Sequence, residues 1–209
     1  MISCLCITQD RPEFYEFLLW NFDKQTTDKK RELVIVDASV TPYKWPEREN
    51  VRVIRVDPSL NIPQMRNIAL ETAAGDVITW WDDDDWKHPD MLKVIDNSDY
   101  DLVGSSKTYF VRLDNGLAAP FTLSYPWPGS LGVKNDDLPT FNEKTERGSD
   151  HAWIKELTKR NMLFIDDPLH FLVTHTKNIS NPSTRWEKEA VIPISEVFEE
   201  HGLDKIWQQ

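Results

Sequence analysis

The sequence predicts a single domain of the open α/β class, with helices on both faces of a twisted, mainly parallel sheet and a small antiparallel hairpin. Two patterns predict this class. Short apolar runs alternate with amphipathic helical segments through the first half of the chain, as in βαβ units. An Asp-Asn-Gly turn signal then separates two further strand-like runs. The 209 residues, 40% of them hydrophobic, suffice for one large core.

The first elements alternate between strand and helix. Residues 2–8 form an apolar run typical of a buried strand, and residues 13–24 carry apolar side chains at helical spacing. Residues 33–36 and 51–56 are predicted as the second and third strands.

The clearest predicted helix spans residues 61–74. Asn61 can cap it, Pro63 lies in its first turn and Gly75 closes it. Residues 76–81 follow as a fourth strand. This βαβ series predicts a Rossmann-like sheet.

The second half of the chain has a different character. Residues 101–104 and 108–113 are predicted strands, and the turn signal joins the latter to a strand over residues 117–123 in a hairpin. Residues 124–148 are rich in Pro, Gly and charge, so we expect a long loop there.

The remaining predicted elements are short, apart from the tail. Ser149 is predicted to cap a helix that runs to about Arg160, and residues 163–165 and 170–174 are short strands. Residues 175–187 are polar and lack apolar periodicity, so we expect a mobile loop that closes over a ligand. Residues 187–209 are predicted as an acidic, amphipathic C-terminal tail helix.

Composition and charge restrict the partners and the compartment. The net charge of −11 disfavours nucleic acid and anionic membranes, which recruit Lys and Arg. Cys4 and Cys6, the two cysteines, provide no disulfide framework, which favours a reducing compartment. The N-terminal residues lack the features of a signal peptide, and no apolar run has the length of a membrane span. We therefore expect a cytoplasmic protein without a transmembrane segment, in an oligomeric state that the sequence leaves open.

Four consecutive aspartates, Asp82 to Asp85, follow the apolar run of residues 77–81 and are the most informative feature of the chain. Carboxylates this close repel one another, so a protein keeps them ionised only with a cation, hydrogen-bond donors or full solvation. Oxygen ligands at a strand end suit Mg²⁺ or Mn²⁺ that carries a phosphate-bearing ligand. The alternative is an acidic cap on the following helix, whose first residues would be Pro89 and Asp90.

Polar residues also follow other strands of the predicted sheet. Thr8 and Arg11 come after the first strand, and Asp37 follows the second. Arg66 lies in the first turn of the helix at 61–74, which begins at the same edge. Ligands of open α/β sheets bind beyond the carboxyl ends of the strands, so we expect these side chains to lie near the aspartates. Arg66 is then either a clamp for a diphosphate or part of a structural salt bridge.

Three segments resemble the donor domain of family 2 glycosyltransferases, which have the GT-A fold. They are ISCLCIT with the following RP, then LVIVDAS, then the more specific MRNIALETAAGDVITWWDDDDWKHPDML. The resemblance covers residues 1–95 well and the remainder loosely. It implies a nucleotide-sugar-binding half at 1–95 and an acceptor-binding half of the same domain at 96–186.

The resemblance implies how the donor would be held. Thr8 and Asp37 would contact the base and ribose of a nucleotide, uridine being the expected one, and Arg11 would belong to the same site. Arg66 would contact the nucleotide or its phosphates. The donor would be a nucleoside-diphosphate sugar.

The resemblance also implies a metal site for Mn²⁺ or Mg²⁺. Asp82 and Asp84 would form a DxD motif in which Asp84 ligates the metal directly and Asp82 supports it. Asp83 or Asp82 would reach ribose or bound water, and the run of four aspartates leaves the register open by one residue. His175 resembles the family's late histidine that reaches the metal or the diphosphate.

A second segment, from Gly148 to Trp153, resembles the acceptor side of the family, with Ser149 where members often have Glu. Asp150 matches the expected base, which would take a proton from the acceptor hydroxyl. The other interpretation of Asp150 is helix capping, since acidic first turns are routine.

The resemblance, together with these residues, implies a metal-dependent, inverting glycosyltransferase that moves a sugar from a UDP-sugar or a related donor to a hydroxyl acceptor. A nucleotidylyltransferase is an alternative, although such an enzyme would require a Gly-rich loop where this chain has TQDRP. A non-catalytic module that binds a nucleotide sugar or a glycan is another. A modified DNA base as acceptor is the least favoured, because the chain is acidic.

Overall fold

A computed structural model describes residues 1–112, 116–145, 148–174, 192–193 and 195–197. Its strands, in chain order, are β1 (Ile2–Thr8), β2 (Arg31–Asp37), β3 (Val51–Arg55), β4 (Val77–Trp80), β5 (Trp86–Lys87), β6 (Leu102–Ser105), β7 (Lys107–Arg112), β8 (Leu117–Thr122), β9 (Gly132–Lys134), β10 (Met162–Ile165), β11 (His170–Thr174) and β12 (Ile192–Pro193). The helices are α1 (Tyr15–Asp23), α2 (Ile62–Thr72), α3 (Met91–Asp96) and α4 (Ser149–Leu157), and 3-10 turns cover Pro12–Phe14 and Pro128–Ser130.

Within the described residues, seven strands form one large sheet in the order β10-β6-β9-β4-β1-β2-β3. β1 pairs in parallel with β2 and β4, β2 pairs in parallel with β3, and β6 pairs in parallel with β10. The prediction of an open α/β class with a mainly parallel sheet is confirmed. Because the strands come from both halves of the chain, the two halves share one sheet.

Helices cover both faces of the large sheet, and the alternation along β2 shows why. Leu33 and Ile35 are buried in the cluster that contains side chains of α1 and α3. Val34 and Val36 are buried in the cluster that contains side chains of α2 and α4. Successive side chains of a strand point to opposite faces, so an entirely apolar strand builds two cores.

The short strand β9 corrects the predicted long loop at 124–148. It lies inside the large sheet, antiparallel to β4 and β6. A Cβ atom on Gly132 would lie 2.3 Å from Cγ2 of Ile95, so α3 packs directly against the backbone of this strand. Three residues are too few to show a period of two, and the glycine among them suggests a turn, which is why the sequence pattern misses the strand.

Five strands of the described residues form a second sheet, in the order β12-β8-β7-β11-β5. β7 and β8 are the predicted antiparallel hairpin, which is confirmed. β11 pairs in parallel with β7 and antiparallel with β5. Because β5 directly follows the four aspartates, the second sheet joins the first at the edge that carries them.

Two helix N-termini differ in how well the sequence predicts them. At α2, the side chain of Asn61 accepts the N–H of Gln64 and the side chain of Gln64 accepts the N–H of Asn61, both at 3.0 Å, which is a capping box. At α4, Gly148 occupies the N-cap position with a φ of 69°, so the predicted cap by Ser149 is wrong. The hydroxyl of Ser149 instead accepts a hydrogen bond from Arg66.

Some predictions fall on other parts of the chain. The predicted loop at 175–187 and most of the predicted tail helix lie outside the described residues. No helix in the described part is long and apolar enough to cross a bilayer. Cys4 and Cys6 are both free thiols and both buried in the core, as the absence of a disulfide framework implies.

Candidate functional site

The candidate site lies at the carboxyl edge of the large sheet, where the four aspartates make a turn after β4. The carbonyl of Asp82 accepts the N–H of Asp85 at 3.4 Å across this turn. The next helix, α3, begins only at Met91, with Asp90 at its N-cap. The aspartates therefore do not form the acidic helix cap that the sequence left open as the alternative.

The end of β1 holds the middle of the aspartate turn. Thr8 Oγ1 donates to Asp83 Oδ2 at 2.5 Å, and Arg11 Nη1 lies 2.9 Å from Asp83 Oδ1. The other amino group of Arg11 donates to Asp84. Burial raises the pKa of Asp83, the charge of Arg11 lowers it and that of Asp84 raises it again, with a net upward shift. Arg11 thus offsets part of the repulsion between two buried carboxylates.

The last aspartate of the turn faces the second sheet. Asp85 Oδ2 lies 2.7 Å from Nε2 of His170, and Asp85 Oδ1 accepts the N–H of Val173 at 3.0 Å. Both of these residues belong to β11. Burial and the charge of Asp84 raise the pKa of Asp85. No role was predicted for His170, because a strand of five residues offers no pattern that would pair it with Asp85.

The first aspartate of the turn differs from the other three. The half-buried side chain of Asp82 makes no hydrogen bond or ion pair with any described residue. Burial and the charge of Asp85 raise its pKa, and the positive charge of Arg66 lowers it in part. A carboxylate that is crowded by others and has no protein donor is the kind of ligand that a divalent cation prefers.

The donor set fits a divalent cation only in part. The described residues include no group of three or more His, Cys, Asp or Glu side chains arranged to hold a metal ion. Mg²⁺ bound with a diphosphate usually takes one or two protein carboxylates and completes its shell with phosphate oxygens and water, so Asp82 fits such an ion. Asp84 is buried against Arg11, so it would ligate a metal only by sharing or losing that contact. His175 lies outside the described residues.

Asp37, at the end of β2, is fully buried and has donors on both carboxylate oxygens. Ser39 N–H donates to Oδ1 at 2.9 Å, while Trp45 Nε1 at 3.1 Å and Arg55 Nη1 at 2.6 Å donate to Oδ2. Burial alone would raise the pKa of Asp37, but these hydrogen bonds lower it below its ordinary value. Its side chain therefore also organises the loop after β2.

An aromatic group adjoins Asp37. The rings of Tyr15, Tyr43 and Trp45 have centroids 4.2–5.2 Å apart. Tyr15 is buried, whereas Tyr43 and Trp45 are half-buried. The sequence pattern did not indicate this group, because Tyr15 lies in a different segment of the chain from Tyr43 and Trp45.

Arg66 packs against the end of β4 and reaches the first turn of α4. Its guanidinium lies over the rings of Trp80 and Phe141, at 5.6 and 5.4 Å from their centroids. Nη1 donates to Ser149 Oγ at 3.3 Å, and Nη2 lies 3.8 Å from Asp150 Oδ2. Its buried Nε has no hydrogen-bond partner among the described residues. The sequence left two roles open for Arg66, a clamp for a diphosphate and a structural salt bridge. At 3.8 Å, its ion pair with Asp150 is longer than a hydrogen bond.

Asp150 lies in the first turn of α4, as the sequence predicts. Its Oδ1 accepts the N–H of His151 at 2.9 Å, and its side chain is 27% exposed. His151 is in turn held by Tyr125, whose hydroxyl lies 3.0 Å from His151 Nδ1. The helix dipole favours a carboxylate at this position. Oδ2 of Asp150 points towards Arg66 and accepts no hydrogen bond from any described residue.

A profile described as Glycosyl transferase family 2 matches residues 7–117, which is more than half of the chain. The chain belongs to glycosyltransferase family 2. No curated protein sequence matches it significantly.

Solved structures similar to this family 2 chain include S. aureus TarS. The TarS 1–349 complex with UDP superposes with a TM-score of 0.62 at 17% identity, covering 83% of this chain and 60% of that one. The TarS 1–349 complex with UDP-GlcNAc gives a TM-score of 0.63 at 16% identity, covering 97% of this chain and 66% of that one. The present chain thus spans 60–66% of these TarS chains. The similarity shows a shared fold, GT-A, as the sequence predicts.

The fold of this family 2 chain brings most of the predicted site residues to one edge. Thr8, Arg11 and Asp83 are in direct contact, and Arg11 also contacts Asp84. The charge of Arg66 lowers the pKa of Asp82, and its guanidinium lies 3.8 Å from the carboxylate of Asp150. Asp37 shares the edge but contacts the aromatic group of the neighbouring loop, and none of its described hydrogen bonds joins it to the aspartates.

Proposed function

We propose that this chain is a metal-dependent, inverting glycosyltransferase that transfers a sugar from a nucleoside-diphosphate donor, a UDP-sugar, to a hydroxyl acceptor. Family membership supports the class of reaction. The observation that carries the finer proposal is Asp82, a crowded carboxylate that has no partner among the described residues and lies on the edge that also carries Arg66 and Asp150. Residues 1–95 bind the donor, and residues 96–186 supply the acceptor side.

The donor is held by residues of the first half in this proposal. The half-buried rings of Tyr43 and Trp45 offer a stacking face for the base beside Asp37. Thr8 and Arg11 fix the aspartate turn next to the ribose. Arg66 has a buried Nε without a described partner, and its guanidinium donates to phosphate oxygens, since Arg binds them with charge-assisted hydrogen bonds.

Asp82 and Asp84 hold Mn²⁺ or Mg²⁺ in this proposal, and Asp83 supports them through its contacts with Thr8 and Arg11. A bound divalent cation would neutralise the charge that develops on the departing diphosphate. Ligation by Asp84 requires that Arg11 share this carboxylate. His175 is a further candidate ligand for the same ion.

Asp150 acts as the general base. Its Oδ2 takes the proton of the acceptor hydroxyl while the hydroxyl oxygen attacks the anomeric carbon. The bond between that carbon and the diphosphate oxygen breaks, and the electron pair leaves with the nucleoside diphosphate. One displacement from the opposite side inverts the anomeric configuration.

The alternatives make different predictions in solution. A nucleotidylyltransferase would form a nucleotide bond rather than cleave the sugar–diphosphate bond. A non-catalytic module would bind a nucleotide sugar without hydrolysing it.

A panel of UDP-, GDP- and TDP-sugars tests the proposal. The thermal unfolding midpoint should rise selectively with one UDP-sugar, and only when Mn²⁺ is present, because selective binding stabilises the folded state by mass action. Slow release of UDP from that donor should accompany binding, with water as the acceptor. Binding without any release would favour the non-catalytic module, and release of a nucleoside monophosphate would favour the nucleotidylyltransferase.

A further inference from the structure

The aspartate turn is held from two opposite sides. On the side of β1, Arg11 contacts Asp83 and Asp84. On the side of β11, His170 and Val173 occupy both carboxylate oxygens of Asp85. Asp82 has no partner in the described part of the chain, so the orientation of its carboxylate depends on how firmly the rest of the turn is fixed.

The backbone after the turn is fixed by one amide side chain. Asn21, on α1, donates from Nδ2 to the carbonyl of Asp85 at 3.1 Å and accepts the N–H of Lys87 at Oδ1 at 3.3 Å. These two hydrogen bonds hold the backbone at the start of β5 in place. The side chain of Lys87 is buried in the interior.

Lys87 is 1% exposed and donates from Nζ to the carbonyl of Gly129 at 2.9 Å. This is its one described hydrogen-bond acceptor, although an ammonium group carries three protons. Gly129 lies in the 3-10 turn at Pro128–Ser130, whose neighbour Trp127 contacts His151 with ring centroids 6.1 Å apart. Lys87 therefore links the aspartate turn to the segment beside Asp150.

Gly129 is packed tightly against the side chains of His170 and Lys87. A Cβ atom at this position would lie 2.5 Å from Nε2 of His170 and 2.8 Å from Nζ of Lys87. His170 is itself 1% exposed, and its carbonyl accepts the hydroxyl of Thr108 at 2.7 Å. Lys87, His170 and Gly129 therefore form one tightly packed, buried cluster next to Asp85.

A cluster of this kind is a poor source of stability. Buried ionic groups lose their hydration, and their replacement by apolar side chains of similar volume is often neutral or stabilising. The stability of the fold therefore gives no reason for a lysine at position 87, where a methionine would fill the same space.

We propose that Lys87 and His170 are positioning residues that hold the aspartate turn, through Asp85 and Gly129, in the orientation in which Asp82 binds a metal–diphosphate complex. The inference rests on the proposed function. His170 acts through Asp85 and Lys87 acts through the backbone of Gly129, so both are placed behind the substrate and not against it. Their loss should reduce the contribution of the metal to nucleotide binding and leave the metal-independent contribution, made by the base and ribose contacts, unchanged.

Substitution Lys87→Met tests the inference, with Lys107→Met as the matched control. Lys107 is an exposed lysine on β7 that pairs with Asp166 at 2.8 Å. UDP affinity is measured by calorimetry with and without Mn²⁺, and the unfolding midpoint is measured on the same preparations. In Lys87→Met we expect an unchanged or higher midpoint, unchanged metal-free affinity, and an Mn²⁺-dependent gain in affinity that is about tenfold to hundredfold smaller, as for other residues behind metal ligands. Lys107→Met should keep the full gain.

A second pair of variants covers the case in which Lys87→Met does not fold. His170→Gln keeps a donor for Asp85 and should retain most of the Mn²⁺-dependent gain, whereas His170→Leu should lose it. A folded Lys87→Met or His170→Leu protein with the full gain would overturn the inference while leaving the proposed function intact. A wild-type protein without any Mn²⁺-dependent gain would overturn the proposed function, and the inference with it.

Discussion

The four aspartates of the run have different partners, which the sequence alone does not reveal. Asp83 and Asp84 face Arg11, Asp85 faces His170, and Asp82 faces no described partner. The sequence predicted Asp84 as the direct metal ligand and left the register open by one residue. Because Asp84 contacts Arg11 and no described residue donates to Asp82, Asp82 is the better supported metal ligand of the two.

Arg66 is predicted to contribute to the donor site through its charge as well as through packing. Substitution Arg66→Met keeps most of the volume between Trp80 and Phe141 but removes the guanidinium. UDP binding should weaken by about 1.5–3 kcal/mol, the range for hydrogen bonds to charged groups, while uridine binding should change little. Calorimetry with both ligands measures the difference, and Arg52→Met, at an exposed arginine on β3, is the control. Equal losses for UDP and uridine would identify a structural salt bridge instead.

Asp150 is predicted to act on the acceptor and not on the donor. Substitution Asp150→Asn keeps the shape and removes the basicity. UDP affinity should be nearly unchanged, while Mn²⁺-dependent hydrolysis of the UDP-sugar should slow by about 10²–10⁴-fold, the usual range for a lost general base. Both quantities are measured on one preparation. A joint fall in binding and hydrolysis would point to a structural role, and unchanged hydrolysis would place the base elsewhere.

At the scale of elements, the sequence predicted those that carry a period or a cap. The apolar strands β1 and β2 and the helix α2, with its Asn61–Gln64 capping box, lie where the pattern indicated. β9 was missed because its neighbours come from β4 and β6, which are distant in the chain. Pairing with distant strands, rather than local propensity, makes residues 132–134 a strand.

The tight contact between β9 and α3 allows a direct test of this element. A methyl group on Gly132 would overlap Ile95, so Gly132→Ala should destabilise the fold by about 1–3 kcal/mol. Ile95→Ala alone should cost about 2–5 kcal/mol through the cavity it leaves. The double variant should cost less than the sum, because the added methyl group fills part of that cavity. Urea unfolding measures all three, and strictly additive losses would contradict the packing of β9 on α3.

At the scale of the whole molecule, the two sheets meet at the aspartate turn. β4 ends there in the large sheet, and β5 leaves from there into the smaller one. The sequence could predict that the site lies at one edge of the large sheet, because the carboxyl ends of parallel strands lie along the same edge. It could not predict that His170 and Lys87 lie behind that edge, because their contacts with Asp85 and Gly129 depend on how the second sheet folds back.

The central claim is that the Asp82 edge is a metal-dependent site for a UDP-sugar. The most direct test is the rate of UDP release from the donor that stabilises the wild-type protein most, with and without Mn²⁺. The wild-type protein and Asp99→Asn, a substitution at an exposed aspartate outside the run, should release UDP only with Mn²⁺. With Mn²⁺, Asp82→Asn should release UDP about tenfold to hundredfold more slowly than the wild-type protein. It should unfold at the same temperature or a higher one. Metal-dependent release by Asp82→Asn at the wild-type rate would contradict the account.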